Sequence, residues 1–155
     1  MARHTKLIEL DEIDRKILSG LQKDARISFK KIAEETAVSE ATIFVRVKKM
    51  QERGVIKSFM AVVDPTTIGK PLTAIMLVKA QPKGLPRLLD ALKKLDDIYE
   101  IYDVTGQYYS ILKIRTSGTE QLSKIIDEIG QIEGVAGTET VIVLRTVKEE
   151  LKVKL

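Results

Sequence analysis

A chain of 155 residues can form one ordinary domain or two small ones, and 44% hydrophobic with 31% charged residues excludes a disordered or fibrous protein. The absence of cysteine removes disulfides, thiolate nucleophiles and cysteine-rich metal sites, and the single histidine, His4, stands in an expected frayed terminus, which argues against zinc sites and histidine-based acid–base catalysis. The net charge of +4 is unevenly placed: residues 1–57 hold thirteen Lys and Arg against nine Asp and Glu, whereas residues 58–155 hold thirteen of each, so a polyanion-binding module joined to a neutral one is expected.

"MARHTK" leads into no apolar run that suits a signal peptide, and nowhere do about eighteen apolar residues follow one another as a membrane span requires. A cytoplasmic protein with no membrane partner is expected. Asp11 then reads as the N-cap of "EIDRKILSGLQ", with Asp14 in the first turn and Ile13, Ile17, Leu18 and Leu21 forming a buried stripe. Ser28 caps a short second helix, "FKKIAEETA", which turns Phe29, Ile32 and Ala33 inward. Ser39 caps a third helix that runs to Arg53 and stops at Gly54. Three helices with a tight turn before the last make a helix-turn-helix.

At 100° per residue, Ile43, Val47 and Met50 of the third helix fall on one arc and form its buried stripe. Ala41, Thr42, Val45, Lys48 and Lys49 fall opposite, with Phe44 and Arg46 on the flanks. A merely solvated face gains nothing from bare Val and Phe among cations. Double-stranded DNA supplies a reason for the mixture. Lys and Arg neutralise phosphates, while Ala, the Thr methyl, Val and Phe suit the thymine methyl in the major groove, and Thr42 and Arg46 can donate to base edges or phosphates. Ser39, Ala41, Thr42, Phe44, Val45, Arg46, Lys48 and Lys49 are therefore the candidate DNA-binding residues. The alternative for Phe44 is a place in the core beneath the following segment.

"GVIKSFMAVVDP" changes period and suits an extended strand, and "DPTTIGKP" is the best linker in the sequence. Beyond it, "LTAIMLVKA", "LPRLLDALKKL", "IYEIYDV", "YYSILKIR", "EQLSKIIDEIG" and "GTETVIVLR" read as strand, helix, strand, strand, helix and strand. That βαββαβ order is the ferredoxin-like split βαβ arrangement. An internal repeat at a spacing of 34 supports it, matching Gly84 with Gly118, Leu88 with Leu122, Leu92 with Ile126, Leu95 with Ile129 and Ile98 with Ile132. The expected fold is α+β: a helix-turn-helix domain over residues 1–54, a connecting strand and linker over 55–71, and a ferredoxin-like domain over 72–155. Both faces of the sheet read as apolar, since Ile75 and Leu77 oppose Met76 and Val78, and Val141 and Val143 oppose Ile142 and Leu144. A face left bare by the helices then calls for a second copy in a symmetric homodimer.

With these residues placed, the chain from Leu10 to Val147 resembles the Lrp/AsnC family of transcription regulators, also called feast/famine regulatory proteins. "LDEIDRKILSGLQKDARISFKKIAEETAVS" looks like the family's opening helices, and Thr42, Ile43, Arg46, Val47, Lys48, Lys49, Gly54, Val55 and Ile56 look like its recognition-helix signature. The resemblance implies that residues 72–155 are a ligand-sensing and oligomerisation domain, with dimers assembling into octamers or comparable rings and an amino-acid effector held between dimers. "TGQYYS" occupies the place of the family's frequent Gly-Asp-Tyr-Asp sequence. By resemblance the effector-binding residues are thus Thr105, Gly106, Gln107, Tyr108 and Tyr109, with Thr138 and Thr140.

Two positions depart from the family pattern. Gln107 and Tyr109 stand where acidic residues are usual, leaving neutral hydrogen bonds where a carboxylate would hold an ammonium group. Glu100, Asp103 or Glu139 are the candidate substitute anions. Ala37 stands where the interhelical turn often has glycine. No cofactor or metal is implied, and without a Gly-rich phosphate loop, cysteine or central histidine, catalysis is not expected. An architectural, chromatin-like protein that wraps DNA with little sequence choice is the alternative to an operator-reading regulator.

Overall fold

A computed structural model describes residues 7–81 and 85–155, so His4 and Gly84 lie outside the described residues. One compact unit runs to Val62 and takes in Glu150–Leu155, and the other spans Val63–Glu149.

The first unit holds three capped helices. Asp11 opens α1 (Glu12–Lys23) with a reciprocal box, its carboxylate accepting from the Asp14 amide at 2.8 Å while the Asp14 carboxylate accepts from the Asp11 amide at 3.3 Å. Ser28 caps α2 (Phe29–Thr36) and Ser39 caps α3 (Glu40–Glu52), each through its hydroxyl oxygen. The three apolar stripes meet in a core of Ile17, Leu18, Ile32, Ala33, Ile43, Val47 and Met50. Gly54, at φ 73°, takes the left-handed conformation that stops α3.

Ala37 is left-handed as well, at φ 55° and ψ 36°, and closes α2 where glycine would meet no steric penalty. That conformation costs a Cβ-bearing residue about 1–2 kcal/mol. Ala37 is exposed, so its methyl contributes little packing in return. Glycine would also give the unfolded chain about 0.4–1 kcal/mol more conformational freedom. Ala37→Gly is therefore expected to stabilise the protein by a net of about 0.5–1 kcal/mol in urea or thermal unfolding. A lowered midpoint would contradict the strain assigned to this turn.

Two expectations are corrected in this part of the chain. The stretch over residues 55–64 forms no β-ladder with any described residue and leaves Phe59, Met60 and Val62 exposed. A strand needs a neighbour for its backbone groups, and no described segment of the chain pairs with this one. The last six residues, expected with the sheet domain, pack in the helical unit instead. There the Gln22 side-chain amide donates to the Val153 carbonyl at 3.1 Å and accepts from the Val153 amide at 2.7 Å. A side-chain amide that satisfies the backbone N–H and C=O of one residue acts much as a neighbouring strand would.

The second unit is the expected split βαβ arrangement: β1 (Leu72–Ala80), α4 (Leu85–Leu92), β2 (Ile98–Asp103), β3 (Ser110–Thr116), α5 (Thr119–Gly130) and β4 (Val135–Ile142). All neighbouring strands are antiparallel in the order β2-β3-β1-β4. Ala74, Met76 and Val78 of β1 and Leu112 and Ile114 of β3 are fully buried with Leu88 and Leu92 of α4 and Leu122, Ile125 and Ile129 of α5. The repeat is structural: Leu88 and Leu122 hold matching buried positions in the two helices, and Ile98 and Ile132 both pack against the core. No helix among the described residues is long and apolar enough to cross a membrane.

The sheet's other face is only partly apolar. Ile75, Leu77, Ile111 and Val141 lie on it, but Lys113 bonds both Glu100 and Glu149, and Arg115 bonds Glu149 at 3.0 Å. The Lys113 ammonium first, then burial resisted and Arg115 assisting, sets the Glu149 carboxyl below its ordinary range. β4 ends at Ile142, so Val143 and Leu144 lie beyond it.

Candidate nucleic-acid interface

The buried and open faces of α3 divide as its periodicity requires. Ile43, Val47 and Met50 are between 0% and 4% exposed, whereas Phe44 and Val45 are 56% and 47% exposed. Ala41, Lys48 and Lys49 are exposed beside them, and the neighbouring α2 adds exposed Lys30 and Lys31. Neither Lys48 nor Lys49 joins an ion pair among the described residues. The result is an open helix face of free cations beside bare aliphatic groups, on which Ala41, Val45 and Lys49 also line a hollow bordered by Leu10, Asp14 and Arg46. A helix of this kind suits the major groove, where phosphates flank thymine methyls.

Four of the candidate DNA-binding residues are less free than the sequence suggests. The Thr42 hydroxyl lies 2.8 Å from that of Ser39, whose oxygen also accepts from the Thr42 amide at 3.1 Å, so both are engaged in the cap. Phe44 does not enter the core; its ring meets Phe29 of α2 edge to face, with centroids 6.3 Å apart, and stays mostly exposed. Arg46 turns away from the open face. Its Nη1 donates to Asp11 at 2.7 Å and to Asp14 at 2.8 Å, both at the start of α1. The Asp14 amide and then this guanidinium hold the Asp11 carboxyl below its ordinary range, and the two carboxylates raise Arg46 further. In the sequence Asp11 reads as an N-cap and Asp14 as a first-turn acid that suits the helix dipole; nothing local marks them as partners of a residue more than thirty positions on.

The residues implied as an effector site are brought to one end of the sheet but divided between its faces. Gly106, at φ 113°, makes the turn after β2, and Thr105, Gly106 and Gln107 are exposed. The Tyr109 amide donates to Val78, which lies opposite Thr138, and Thr140 lies opposite Met76, so these two threonines share the helix-covered face. Tyr109 packs against that core, and burial pushes its phenol above the ordinary value. The Thr140 hydroxyl is buried and has no hydrogen-bond partner among the described residues.

Tyr108 lies on the other side, where its hydroxyl donates to Glu139 at 2.5 Å and the Lys79 ammonium stands 5.2 Å from its ring centre. The Glu139 carboxylate raises the Tyr108 phenol above its ordinary value. Of the three candidate substitute anions, Glu139 is the one bonded to the loop. Glu100 is held by Lys113 and Tyr102, and Asp103 is exposed at the end of β2. Lys79 was not singled out by the sequence, since its approach to Tyr108 depends on the β1 pairing alone.

Residues 73–153 match the model of the Lrp/AsnC ligand binding domain, and residues 10–57 match that of a winged helix-turn-helix DNA-binding domain. The HTH-type transcriptional regulator FL11 of Pyrococcus abyssi is 42% identical over 95% of this chain and 99% of its own. The structure of E. coli AsnC is similar with a TM-score of 0.87 at 31% identity, covering 92% of this chain and 97% of that one. A Neisseria meningitidis transcriptional regulator solved in complex with L-Met shares the fold with a TM-score of 0.87 at 22% identity, over 94% of this chain and 97% of that one.

Proposed function

The chain belongs to the Lrp/AsnC family of transcription regulators, and on that premise we propose that it reads operator DNA with the open face of α3 and responds to an amino acid bound beside the loop over residues 105–109. The observation that carries the DNA half is that open face, with Lys48 and Lys49 free and Val45 bare. Lys48 and Lys49 take phosphates, Ala41 and Val45 meet thymine methyls, and Ser39 and Phe44 border the contact. The protein works in the cytoplasm and carries out no catalysis. The apolar positions Ile75, Leu77, Ile111 and Val141 support a homodimer through the sheet, assembling further into an octamer or comparable ring as in the family. Each dimer would present two α3 helices about one DNA turn, roughly 10 base pairs, apart. Duplexes selected from a random pool should therefore carry pseudo-palindromic half-sites at that spacing or a multiple. Selected duplexes with unpaired, unspaced sites would count against it.

Two features favour a second reading, in which the protein wraps DNA with little sequence choice. The Thr42 hydroxyl is engaged with Ser39 and Arg46 with α1, so the face has few groups left to make bidentate bonds to bases. The affinity ratio between selected and random duplexes at one salt concentration separates the two. A ratio of about a thousand or more marks an operator reader, and a ratio near one marks an architectural protein.

For the effector half, Glu139 supplies the carboxylate absent from the loop, and Lys79 supplies a cation nearby. An amino acid would place its ammonium group on Glu139 by displacing the Tyr108 hydroxyl and its carboxylate toward Lys79, with Thr105, Gly106, Gln107 and Tyr108 closing over it. The loop backbone at Tyr109, together with Thr138 and Thr140, borders the same end of the sheet. A thermal-shift screen against the common amino acids tests this. A ligand at a hundred times its Kd adds about 2.7 kcal/mol to native stability, and Glu139→Gln should abolish that gain. No shift with any amino acid, or a shift that survives Glu139→Gln, would reject the assignment.

A further inference from the structure

We infer that Arg46 is a positioning residue, which fixes the rotation of α3 by bonding Asp11 and Asp14 of α1 and does not itself contact DNA. The inference rests on the reading of α3 as the DNA-binding helix. Asp11 and Asp14 are carboxylates on the same unit as that helix, and a polyanion approaching that unit is repelled by them. By electrostatics alone, a DNA-binding domain is better without them.

Their geometry supplies another reason to keep them. The Arg46 side chain is only 28% exposed and that of Asp14 only 18%, and one nitrogen, Nη1, holds both carboxylates within 2.8 Å. The buried stripe of α3 is Ile43, Val47 and Met50. Packing of this kind is non-directional and tolerates a roll of the helix about its own axis. A charge-assisted hydrogen bond is directional and resists it. Arg46 follows Val45 directly, so the bond acts beside the residue assigned to base contact. A roll of about 10° moves a side chain on the helix surface by about 1 Å, enough to spoil a base contact. The Asp11–Asp14 capping box, by holding α1 and both carboxylates in place, thereby also sets the aim of a different helix.

The two accounts of these carboxylates differ in sign, which makes them easy to separate. The full-length chain carrying Asp11→Asn and Asp14→Asn is titrated with a duplex selected by the unaltered protein and with a random-sequence duplex, at one salt concentration. Asparagine remains a good N-cap, so α1 keeps its start. The expected result is a fall of about tenfold for the selected duplex, the value of one base contact. Affinity for the random duplex should hold or rise, because two negative charges have gone. Equal gains on both duplexes, or an unchanged ratio between them, would overturn the inference. Helical circular dichroism and a melting curve accompany each titration. Should the double variant lose its helix signal, Asp14→Asn alone carries the same expectation, with a fall of roughly threefold. A purely structural role would lower the melting point and leave the ratio intact, which also counts against the inference. If the unaltered protein binds neither duplex, the DNA reading itself has failed, which is a different outcome from a ratio that survives the substitutions.

Discussion

Replacing Lys48 and Lys49 together by alanine is expected to weaken binding to every duplex by roughly sixtyfold near 0.1 M salt, and to lessen the slope of log K against log salt by about 1.8. The size follows from counterion release. Each phosphate neutralised on a duplex releases about 0.9 of a counterion, and two lysines at two phosphates release twice that. Both side chains are exposed and outside any ion pair among the described residues, so alanine removes their charge without leaving an acidic partner behind. The loss should be the same for selected and random duplexes, because phosphates carry no sequence. A slope that stays where it was would show that these lysines face water in the complex.

Ile43→Ala should have the largest effect on folding. Ile43 is fully buried, in the same turn of α3 as the exposed Phe44 and Val45, and truncating a buried isoleucine to alanine costs about 2–5 kcal/mol. A unit of this size has a small core and little stability to spare. The two compact units each have their own core, so calorimetry should show the helical unit's transition lowered by about 10 °C or more while that of the sheet unit stays in place. A single transition that moves as a whole, or no movement at all, would contradict separate cores. DNA binding by this variant should fall with the folded fraction of the helical unit, unlike the Lys48 and Lys49 variants, which stay folded.

Where periodicity and capping chemistry act locally, the fold was legible. Asp11, Ser28 and Ser39 each precede an apolar stripe of period 3.6, and all three cap helices as expected. The apolar run within "LTAIMLVKA" marks β1, Leu72 to Ala80, and the spacing of 34 reports two helices that do the same work on one sheet. What failed to show in the sequence depends on long-range partners. The stretch over residues 55–64 has strand composition, but pairing is a property of two segments, and no described segment of this chain pairs with it. The tail beyond Glu149 is too short to reveal that Gln22 receives it.

The site divides along the same line. The exposed half of α3 follows from its phase, and Ala41, Val45, Lys48 and Lys49 are exposed as spacing alone predicts. Arg46 has the same composition signal as its neighbours, yet it is turned to α1 by two carboxylates more than thirty positions earlier. In the loop over residues 105–109, the family pattern pointed to residues that the structure gathers at one end of the sheet. It could not foretell that strand alternation sends Thr138 and Thr140 to one face and Glu139 to the other, or that Tyr108 follows Glu139.

The central claim is that Lys48 and Lys49 stand open in the free protein and are covered when duplex DNA binds. Lysine acetylation read by mass spectrometry, with and without a selected duplex, tests it residue by residue. Lys48 and Lys49 are expected to react readily in the free protein and to be protected several-fold by DNA. Lys124, on the exposed side of α5, should react equally in both states. Lys48 and Lys49 reacting as fast in the complex as in the free protein, under conditions where binding is saturated, would contradict the account.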